Sequence, residues 1–559
     1  MTRRGRVIEA GAVLVGSLAA AIAFTWPLVL HLQTRARDLA DTLFQAWTID
    51  WVQHAIESGK NVYDANTFAP EKTSLAFSDT LFGVAIPTLP LRWLGLTPIG
   101  VLNVTMILGF TVSAAAAYLF VRLVTGSRVA GAVAGAVYAF GPFGALATRH
   151  VHVAVRPGVP LAAAAAWWLA DRARDKGRLV APAFALIAVV AWQATVSFYP
   201  ATYAVVAAGL VLVVRVRSLD RRGIVAGLGA LAGAVASLVL LAIPNLEVAA
   251  RDPNYKFSLA SFGPLGANFG RIESGTVIWG NLLGLGATDS PRIPTFPGIV
   301  TLVLAGIGVA VARRASGSRR TQVIAGLVLS FVGAVLAIGT AATGWRHYAP
   351  YRFLYEFVPP FDALRATGRA WMIGLCGLAL LAGLGAAAIV GWVRARVPAR
   401  KLAVGAVVVS VLVGLVLLEG FESWSDKPSV EISAVDQELA RRPASGGVVY
   451  LPMNPSDHLD VTYFAQPANL YGSTAHHRIT PNGYAGYLPP SYLRNSKRLR
   501  TLPDPAALAL LRKLGIRYVV VHPGVVGTPW APLLVPAAAA PLEPIGRFGN
   551  DLLYEVPPT

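Results

Sequence analysis

Two acidic residues near the N-terminus are the strongest candidates for catalysis. Asp38 and Asp41 lie three residues apart where a helix is predicted to begin, so their side chains could share one face of that helix. A carboxylate at a membrane surface can act as a general base and take a proton from a hydroxyl group. The structural alternative is that Asp41 caps the helix, as aspartate commonly does. Both roles can hold together, because a capping residue still presents its carboxylate.

A second group of candidate residues is cationic. Arg149, His150, His152 and Arg156 fall within the eight residues 149–156. Such a set suits a phosphate or pyrophosphate, for which arginine offers a bidentate fork. Two alternatives stay open. The group could bind lipid headgroups at a helix end, or His150 and His152 could hold a divalent metal with a nearby carboxylate, although two histidines alone are weak evidence.

Two further stretches hold chemically active residues. Arg365 lies in GWRHYAPYRFLYEFVPPFDALRATGR, where arginine alternates with aromatic residues. This pattern suits sugar stacking and phosphate contacts, and it suits a membrane-interface belt equally well. The pair His476 and His477 is predicted to form a structural turn. The sequence contains no Walker A loop, G-x-S-x-G elbow or H-E-x-x-H motif.

The segment from His31 to Asp79, which holds Asp38 and Asp41, is rich in acidic residues and contains a predicted helix. From Asp41 to Glu57 the apolar residues recur at helical spacing. We expect this helix to lie flat on the membrane surface with Trp47 and Trp51 in the headgroup layer. The acidic residues of the segment are seven of the chain's 29, namely Asp38, Asp41, Asp50, Glu57, Asp64, Glu71 and Asp79.

Composition indicates an integral membrane protein. Of the 559 residues, 55% are hydrophobic and only 14% are charged, against about 25% charged in soluble domains. The net charge of +19 comes from Lys and Arg in short loops between apolar segments, which is the positive-inside pattern of membrane topology rather than a nucleic-acid surface. The single cysteine, Cys376, excludes a disulfide framework and a Cys-based metal site.

Hydropathy and loop charge together predict a mainly α, polytopic protein. The N-terminus is predicted to be cytoplasmic and the C-terminus outside a bacterial plasma membrane. The first apolar run, Val7 to Leu30, is read as a retained signal anchor. Leu81 to Leu96 is short and contains Pro87 and Pro90, so we expect it to be re-entrant or interfacial. The predicted transmembrane helices number eleven: 8–30, 98–122, 129–145, 157–171, 179–197, 200–216, 223–243, 297–312, 321–340, 370–392 and 402–420.

Polar and β-forming residues return after the last predicted helix. Short β-like runs occur at Val448–Leu451, Tyr518–Val521 and Leu552–Val556. Between them, Asp504 to Leu514 has helical periodicity, with an aspartate cap and proline at the first helical position. The sequence therefore predicts a transmembrane domain over 1–420, with a first external loop over 31–97, and a small extracytoplasmic α/β domain over 421–559.

Several stretches distributed over most of the chain carry a resemblance to a known group of proteins. They are ADTLFQAWTIDWVQHAI, NVYDANTFAPEKTSLAFSDTLFG, TGSRVAGAVAGAVYAFGPF, RHVHV, FPG (Phe296–Gly298), FDALRATGRAW, NGYAGYLPPSY and LRKLGIRYVVVHPG. With these stretches the chain resembles large bacterial multi-span proteins of the YfhO-like and related types, which are grouped with the GT-C superfamily of membrane glycosyltransferases.

The resemblance implies a site and a reaction. In GT-C enzymes an acidic residue of the first external loop acts as catalytic base or metal ligand, and the donor is a polyprenyl-phosphate sugar. Asp41 matches that acid, with Asp38 as a partner, and basic residues such as Arg149, His150 or Arg365 would hold the lipid phosphate. The usual Asp-x-Asp form is absent, since Thr42 and Leu43 follow Asp41, so the resemblance leaves metal dependence open. It implies an inverting transfer to an unspecified acceptor in the cell envelope.

Two other functions compete with this one. A transporter or flippase of a lipid-linked saccharide would place charges within the membrane, whereas the predicted spans contain few Asp, Glu or Lys residues. The other alternative is a non-catalytic membrane protein whose external domain binds glycans. The polar residues concentrate in the external loops, which favours chemistry at the membrane surface.

The predicted topology can be tested by cysteine labelling. Arg174→Cys, Arg217→Cys and Arg396→Cys should be protected from a membrane-impermeant maleimide in intact cells, because they replace residues of predicted cytoplasmic loops. Cysteines at Asp64 and Pro481 should react. The parent protein, with Cys376 alone, gives the background. External labelling of the Arg217 variant would overturn the predicted topology.

Overall fold

The computed structural model describes residues 2–252, 265–285, 292–312, 317–397, 400–453 and 461–558. The chain divides into two compact units. The helical unit comprises Met1–Leu30, Val104–Ile243 and Lys256–Asp426. The mixed unit comprises His31–Asn103, Pro244–Tyr255 and Lys427–Thr559.

The long apolar segments form helices at the positions predicted from hydropathy. Among the described residues, seven are long and apolar enough to cross a membrane: Arg3–Phe24, Pro98–Thr125, Val151–Arg174, Arg221–Leu241, Ser318–Ile338, Thr367–Arg396 and Leu402–Gly420. Four shorter apolar helices, Arg128–Phe140, Val180–Val196, Phe198–Val214 and Ile299–Ala312, occupy the remaining predicted positions. The fold is therefore that of a mainly helical, multi-pass membrane protein, and the number of crossings stays a prediction.

The helix Trp371–Arg396 is the centre of the helical unit, and small residues allow its neighbours to approach closely. A Cβ on Gly385 would lie 2.0 Å from the carbonyl oxygen of Leu304, and one on Gly383 would lie 2.6 Å from that of Ala130. Helices in membranes commonly pack through such small residues because these let the backbones approach closely enough for van der Waals contact. Two two-residue strands, β1 (Ala267–Asn268) and β2 (Ile293–Pro294), pair in parallel in the same unit. Short helices Pro142–Ala147 and Tyr351–Phe357 complete the unit.

The mixed unit is built on a four-stranded sheet. Its strands are β3 (Gly447–Leu451), β4 (Ile516–Val521), β5 (Glu543–Phe548) and β6 (Asp551–Glu555), in the order β3-β4-β6-β5. β3 and β4 are parallel, and the other two pairings are antiparallel. The helices of the unit are Asp41–Ser58, Phe82–Ala85, Leu89–Trp93, Ala434–Arg441, Val461–Gly472, Pro490–Leu499 and Pro505–Lys513, and Ile243–Arg251 leads into it.

Most local predictions for this unit are confirmed. Strands lie at the three predicted positions, and the Asp504 carboxylate accepts a hydrogen bond from the Ala507 amide at 2.6 Å, which caps the helix Pro505–Lys513. Strand β5 was not predicted, because Pro544 and Gly546 interrupt its alternation. The segment predicted to be re-entrant or interfacial forms two short helices, Phe82–Ala85 and Leu89–Trp93.

The first polar loop and the C-terminal part share one hydrophobic core. Phe68 and Phe77 pack in a single cluster with sheet residues such as Val449, Val521 and Tyr554. The structure therefore divides the chain differently from the predicted boundary between residues 420 and 421, because burial of these apolar side chains joins residues 31–103 to residues 427–559.

The helix Asp41–Ser58 is formed as predicted, but it is enclosed by its own unit. Trp47 is 2% exposed and Trp51 is 3% exposed. Their indole nitrogens donate hydrogen bonds to Asn66 Oδ1 at 3.1 Å and to the Val62 carbonyl oxygen at 2.9 Å. The expectation that these tryptophans face lipid headgroups is wrong. They hold the helix to the polypeptide that follows it.

Candidate functional site

The two predicted catalytic carboxylates have different structural roles. Asp38 Oδ1 accepts hydrogen bonds from the amides of Ala40 at 2.9 Å and Thr42 at 3.2 Å. It thus satisfies donors at the start of the helix, as an N-terminal cap does. The capping position itself is Ala40, and Asp41 is the first helical residue. The alternative that Asp41 is the cap is therefore wrong.

Asp41 lies beside an aromatic residue of the C-terminal part of the chain. Its Oδ1 accepts a hydrogen bond from the Tyr484 hydroxyl at 2.9 Å, and the Tyr484 ring meets Phe44 edge to face at 5.3 Å. A narrow cleft runs past these two rings and past Ser78 and Asp79. Asp41 is half-buried. The carboxylate is therefore fixed by a neighbour at one oxygen without being enclosed.

A charged cluster around the buried Asp50 lies farther along the same helix, and sequence reasoning missed it. The Asp50 carboxylate is 3% exposed and pairs with Arg92 and with His477, whose Nε2 lies 2.8 Å from Asp50 Oδ2. Arg92 also donates to Glu57 at 3.0 Å. Asp50, His54 and Glu57 stand at positions i, i+4 and i+7, which places them on one helix face. That spacing is a sequence signal for the cluster, whereas its partner His477 is 427 residues away.

Two histidine rings stack within this cluster. The rings of His54 and His477 are parallel within 4° with their centroids 3.6 Å apart, and Lys60 Nζ lies 3.2 Å from His54 Nε2. Burial, together with the nearby His477 and Lys60, lowers the pKa of His54 from 6.5 to about 4. His54 is therefore neutral at physiological pH. Through His477, the predicted turn at His476 and His477 is attached to the helix Asp41–Ser58.

The predicted phosphate site in the helical unit holds an ion pair. Arg149 donates to Glu273 Oε1 from Nε at 3.1 Å and from its terminal nitrogen at 2.6 Å. Glu273 is nearly buried, whereas the Arg149 side chain is 38% exposed. The rings of His150 and His152 stack with centroids 5.4 Å apart. Arg369, which belongs to the same arginine-rich stretch as Arg365, interacts electrostatically with His152.

Arg156 does not belong to this group. Its side chain is fully buried, and its guanidinium donates to the carbonyl oxygens of Val153 and Tyr138, each at 2.8 Å. The rings of Tyr138 and Phe143 lie 5.2 and 5.4 Å from the same guanidinium. Because backbone oxygens and aromatic faces surround it, Arg156 holds the turn against the helix Arg128–Phe140. The buried guanidinium of Arg156 is therefore not placed to make the predicted phosphate contact.

Arg365 lies half-buried in the turn that leads to the helix Trp371–Arg396. The nearby Arg369 guanidinium sits 4.7 Å from the centre of the Tyr199 ring, and the Tyr199 hydroxyl accepts a hydrogen bond from the Ala366 amide at 3.1 Å. Arg369 is therefore ordered against an aromatic side chain. Across the described ranges, no group of three or more His, Cys, Asp or Glu side chains is arranged to hold a metal ion.

The chain is similar in structure, though not in sequence, to proteins that are already known. No protein-family model matches the chain, and no curated protein matches it in sequence. An oligosaccharyltransferase from Archaeoglobus fulgidus, solved with zinc and sulfate, matches over 97% of this chain and 73% of its own, with a TM-score of 0.50 and 12% identity. The arabinofuranosyltransferase AftD from Mycobacteria, in a mutant form, matches over 100% of this chain with a TM-score of 0.54 and 15% identity. The chain has a GT-C fold.

The matched residues include those of both units, because each match covers nearly the whole chain. The chain spans only 42% of the length of AftD, so AftD contains much that has no counterpart here. ArnT from Cupriavidus metallidurans, solved with undecaprenyl phosphate, aligns over 100% of this chain and 99% of its own at 13% identity and a TM-score of 0.47.

The neutral His54 gives a test of the charged cluster. Its pKa is depressed in the folded protein, so the unfolded chain binds more protons between pH 6.5 and about 4. Folding stability should therefore fall as the pH drops through this range. His54→Gln should weaken that loss, as measured by thermal unfolding midpoints at pH 7 and pH 4.5.

His31→Gln, at an exposed histidine of the same unit, serves as the control and should follow the parent protein. Identical losses of stability in the parent and the His54 variant would show that the stacked pair does not disfavour protonation.

Proposed function

We propose that this protein is a membrane glycosyltransferase of the GT-C type, which moves a sugar from a polyprenyl-phosphate donor to an acceptor hydroxyl outside a bacterial plasma membrane. The observation that supports this most directly is the fold. Both the oligosaccharyltransferase and AftD are glycosyltransferases, and the chain matches each over 97% or more of its length. Fold alone does not determine function, so the proposal also rests on the side chains that follow.

In this proposal Asp41 is the general base. It stands on the first turn of an 18-residue helix whose other residues are mostly buried, so its position is well defined. Asp50 is less suited, because Arg92 and His477 already occupy it. Asp38 is also less suited, because its oxygen serves two backbone amides. A base needs to be within hydrogen-bond reach of the proton that it takes, and the half-buried carboxylate of Asp41 allows this.

The proposed reaction is a single displacement. The acceptor hydroxyl gives its proton to the Asp41 carboxylate as its oxygen forms a bond to the anomeric carbon. The bond from that carbon to the donor phosphate oxygen breaks, and the lipid phosphate leaves with the electron pair. Because attack occurs opposite the leaving group, the anomeric configuration inverts.

Cations of the helical unit are the proposed partners of the leaving phosphate. Arg149, His150, His152 and Arg365 were predicted for this role, and Arg369 joins them through its interaction with His152. Arg149 combines partial exposure with a fixed orientation, since Glu273 holds one edge of its guanidinium. Preoriented donors of this kind stabilise charge that develops in a transition state more effectively than mobile ones.

A pair of matched substitutions tests the assignment of the base. Asp41→Asn keeps a polar group for Tyr484 but cannot accept the proton, and loss of a general base typically lowers the rate about 10²–10⁴-fold. Asp38→Asn should retain activity, because asparagine and aspartate cap helices about equally well. The measurement is transfer of a radiolabelled sugar from membrane lipid in vesicles that contain equal amounts of folded protein.

Near-normal transfer by the Asp41 variant would exclude Asp41 as the base. Loss of transfer in the Asp38 variant alone would move the role to Asp38.

A further inference from the structure

One segment of the C-terminal part, residues 476–484, is attached to the rest of the mixed unit at almost every residue. It begins at His476, whose Nε2 lies 3.0 Å from the Tyr450 hydroxyl and 3.4 Å from the Asp436 carboxylate. The next residue, His477, pairs with the buried Asp50. The third, Arg478, donates to a set of backbone carbonyl oxygens, namely those of Leu439, Arg442, Pro443, Ser445 and Gly446.

The second half of this segment runs alongside the first polar loop. The Ala69 amide donates to the Thr480 carbonyl oxygen and the Phe68 amide to that of Asn482, each at 2.9 Å. The Thr480 amide donates to the Asn66 carbonyl oxygen at 3.1 Å. Gly483 then passes directly over Phe68, where an added Cβ would lie 2.3 Å from the ring. The backbone therefore has little freedom up to the residue before Tyr484.

This attachment ends at the carboxylate assigned as the base. Tyr484 is 8% exposed, its ring packs against Phe44, and its hydroxyl donates to Asp41 Oδ1. A fixed donor on a carboxylate favours the ionised form over the protonated one. A mobile donor would stabilise the ionised form less, because ordering it in the hydrogen-bonding geometry costs conformational entropy.

We propose that Tyr484 is a positioning residue that sets the pH range in which Asp41 works as a base, and that residues 476–483 hold the Tyr484 hydroxyl in place for this purpose. The inference rests on the proposed function for its catalytic consequence. The effect on ionisation of the carboxylate does not depend on it.

Tyr484→Phe removes only the donating oxygen. The acid limb of the kcat/KM profile reports ionisation of the free enzyme's base, and a hydrogen bond to a charged group is strong enough to move that limb by on the order of one pH unit. We therefore expect the midpoint of the limb to move to higher pH in the variant. At pH values well above the limb, the rate should return towards that of the parent protein.

Tyr487→Phe is the matched control. The Tyr487 hydroxyl also donates to a carboxylate, that of Asp252, three residues along the same stretch. A purely structural effect of losing a buried phenol would appear in both variants as lower thermal stability. Of these two phenylalanine variants, Tyr484→Phe alone should move the pH profile. Gly483→Ala, which displaces the backbone at Phe68 but keeps the Tyr484 hydroxyl, should move it in the same direction.

A second readout separates this inference from the proposed function. Infrared difference spectra, with Asp41→Asn used to assign the Asp41 carboxylate band, follow its titration without any assay of transfer. A shift of that titration to higher pH in Tyr484→Phe supports the inference even if Asp41 proves not to be the base. Unchanged titration in Tyr484→Phe would overturn it, whatever the activity.

Discussion

The buried carboxylate of Asp50 joins two distant parts of the mixed unit. A carboxylate removed from water needs compensating partners, and removal of one partner from a buried ion pair typically costs about 3–5 kcal/mol. Asp50 obtains its partners from two distant parts of the chain, Arg92 in the first loop and His477 in the C-terminal part. The pairing therefore favours an arrangement in which residues 31–103 and residues 427–559 fold as one body. The shared hydrophobic core around Phe68 and Phe77 strengthens that arrangement.

The position of the proposed base, Asp41, also depends on this arrangement. Asp38 fixes the start of the helix that carries both Asp41 and Asp50. The segment that begins at His477, the partner of Asp50, places Tyr484 against Asp41. Asp38, Asp41 and Asp50 therefore have different roles, although they are close in sequence.

Sequence patterns predicted the elements whose signals are local. Hydropathy located the apolar helices, alternation located three of the four sheet strands, and the Asp504 cap was confirmed. Long-range pairing was not predictable in this way. The i, i+4, i+7 spacing of Asp50, His54 and Glu57 marks a polar helix face but does not show that Asp50 is buried on it. The residues around His477 in the sequence do not indicate that Asp50 is its partner.

The same reasoning explains where the candidate site was misjudged. A cationic run such as 149–156 looks uniform in sequence, yet Arg149 lies partly exposed beside Glu273 while Arg156 is fully buried among carbonyl oxygens. Trp47 and Trp51 were expected at a membrane surface because tryptophan favours interfaces. Hydrogen bonds to Asn66 and Val62 instead satisfy their indoles inside the unit. Residue type indicates what a side chain can do, and only the tertiary contacts decide which of those roles is available.

Binding of the lipid phosphate tests the central claim most directly. Purified protein in nanodiscs would be titrated with a polyprenyl phosphate and with the polyprenol of the same chain length, and binding would be followed by native mass spectrometry. The account predicts at least roughly tenfold tighter binding of the phosphate, since charge-assisted hydrogen bonds are involved, and loss of that preference when Arg149 and His150 are both changed to alanine. Equal binding of the two lipids by the parent protein would contradict it.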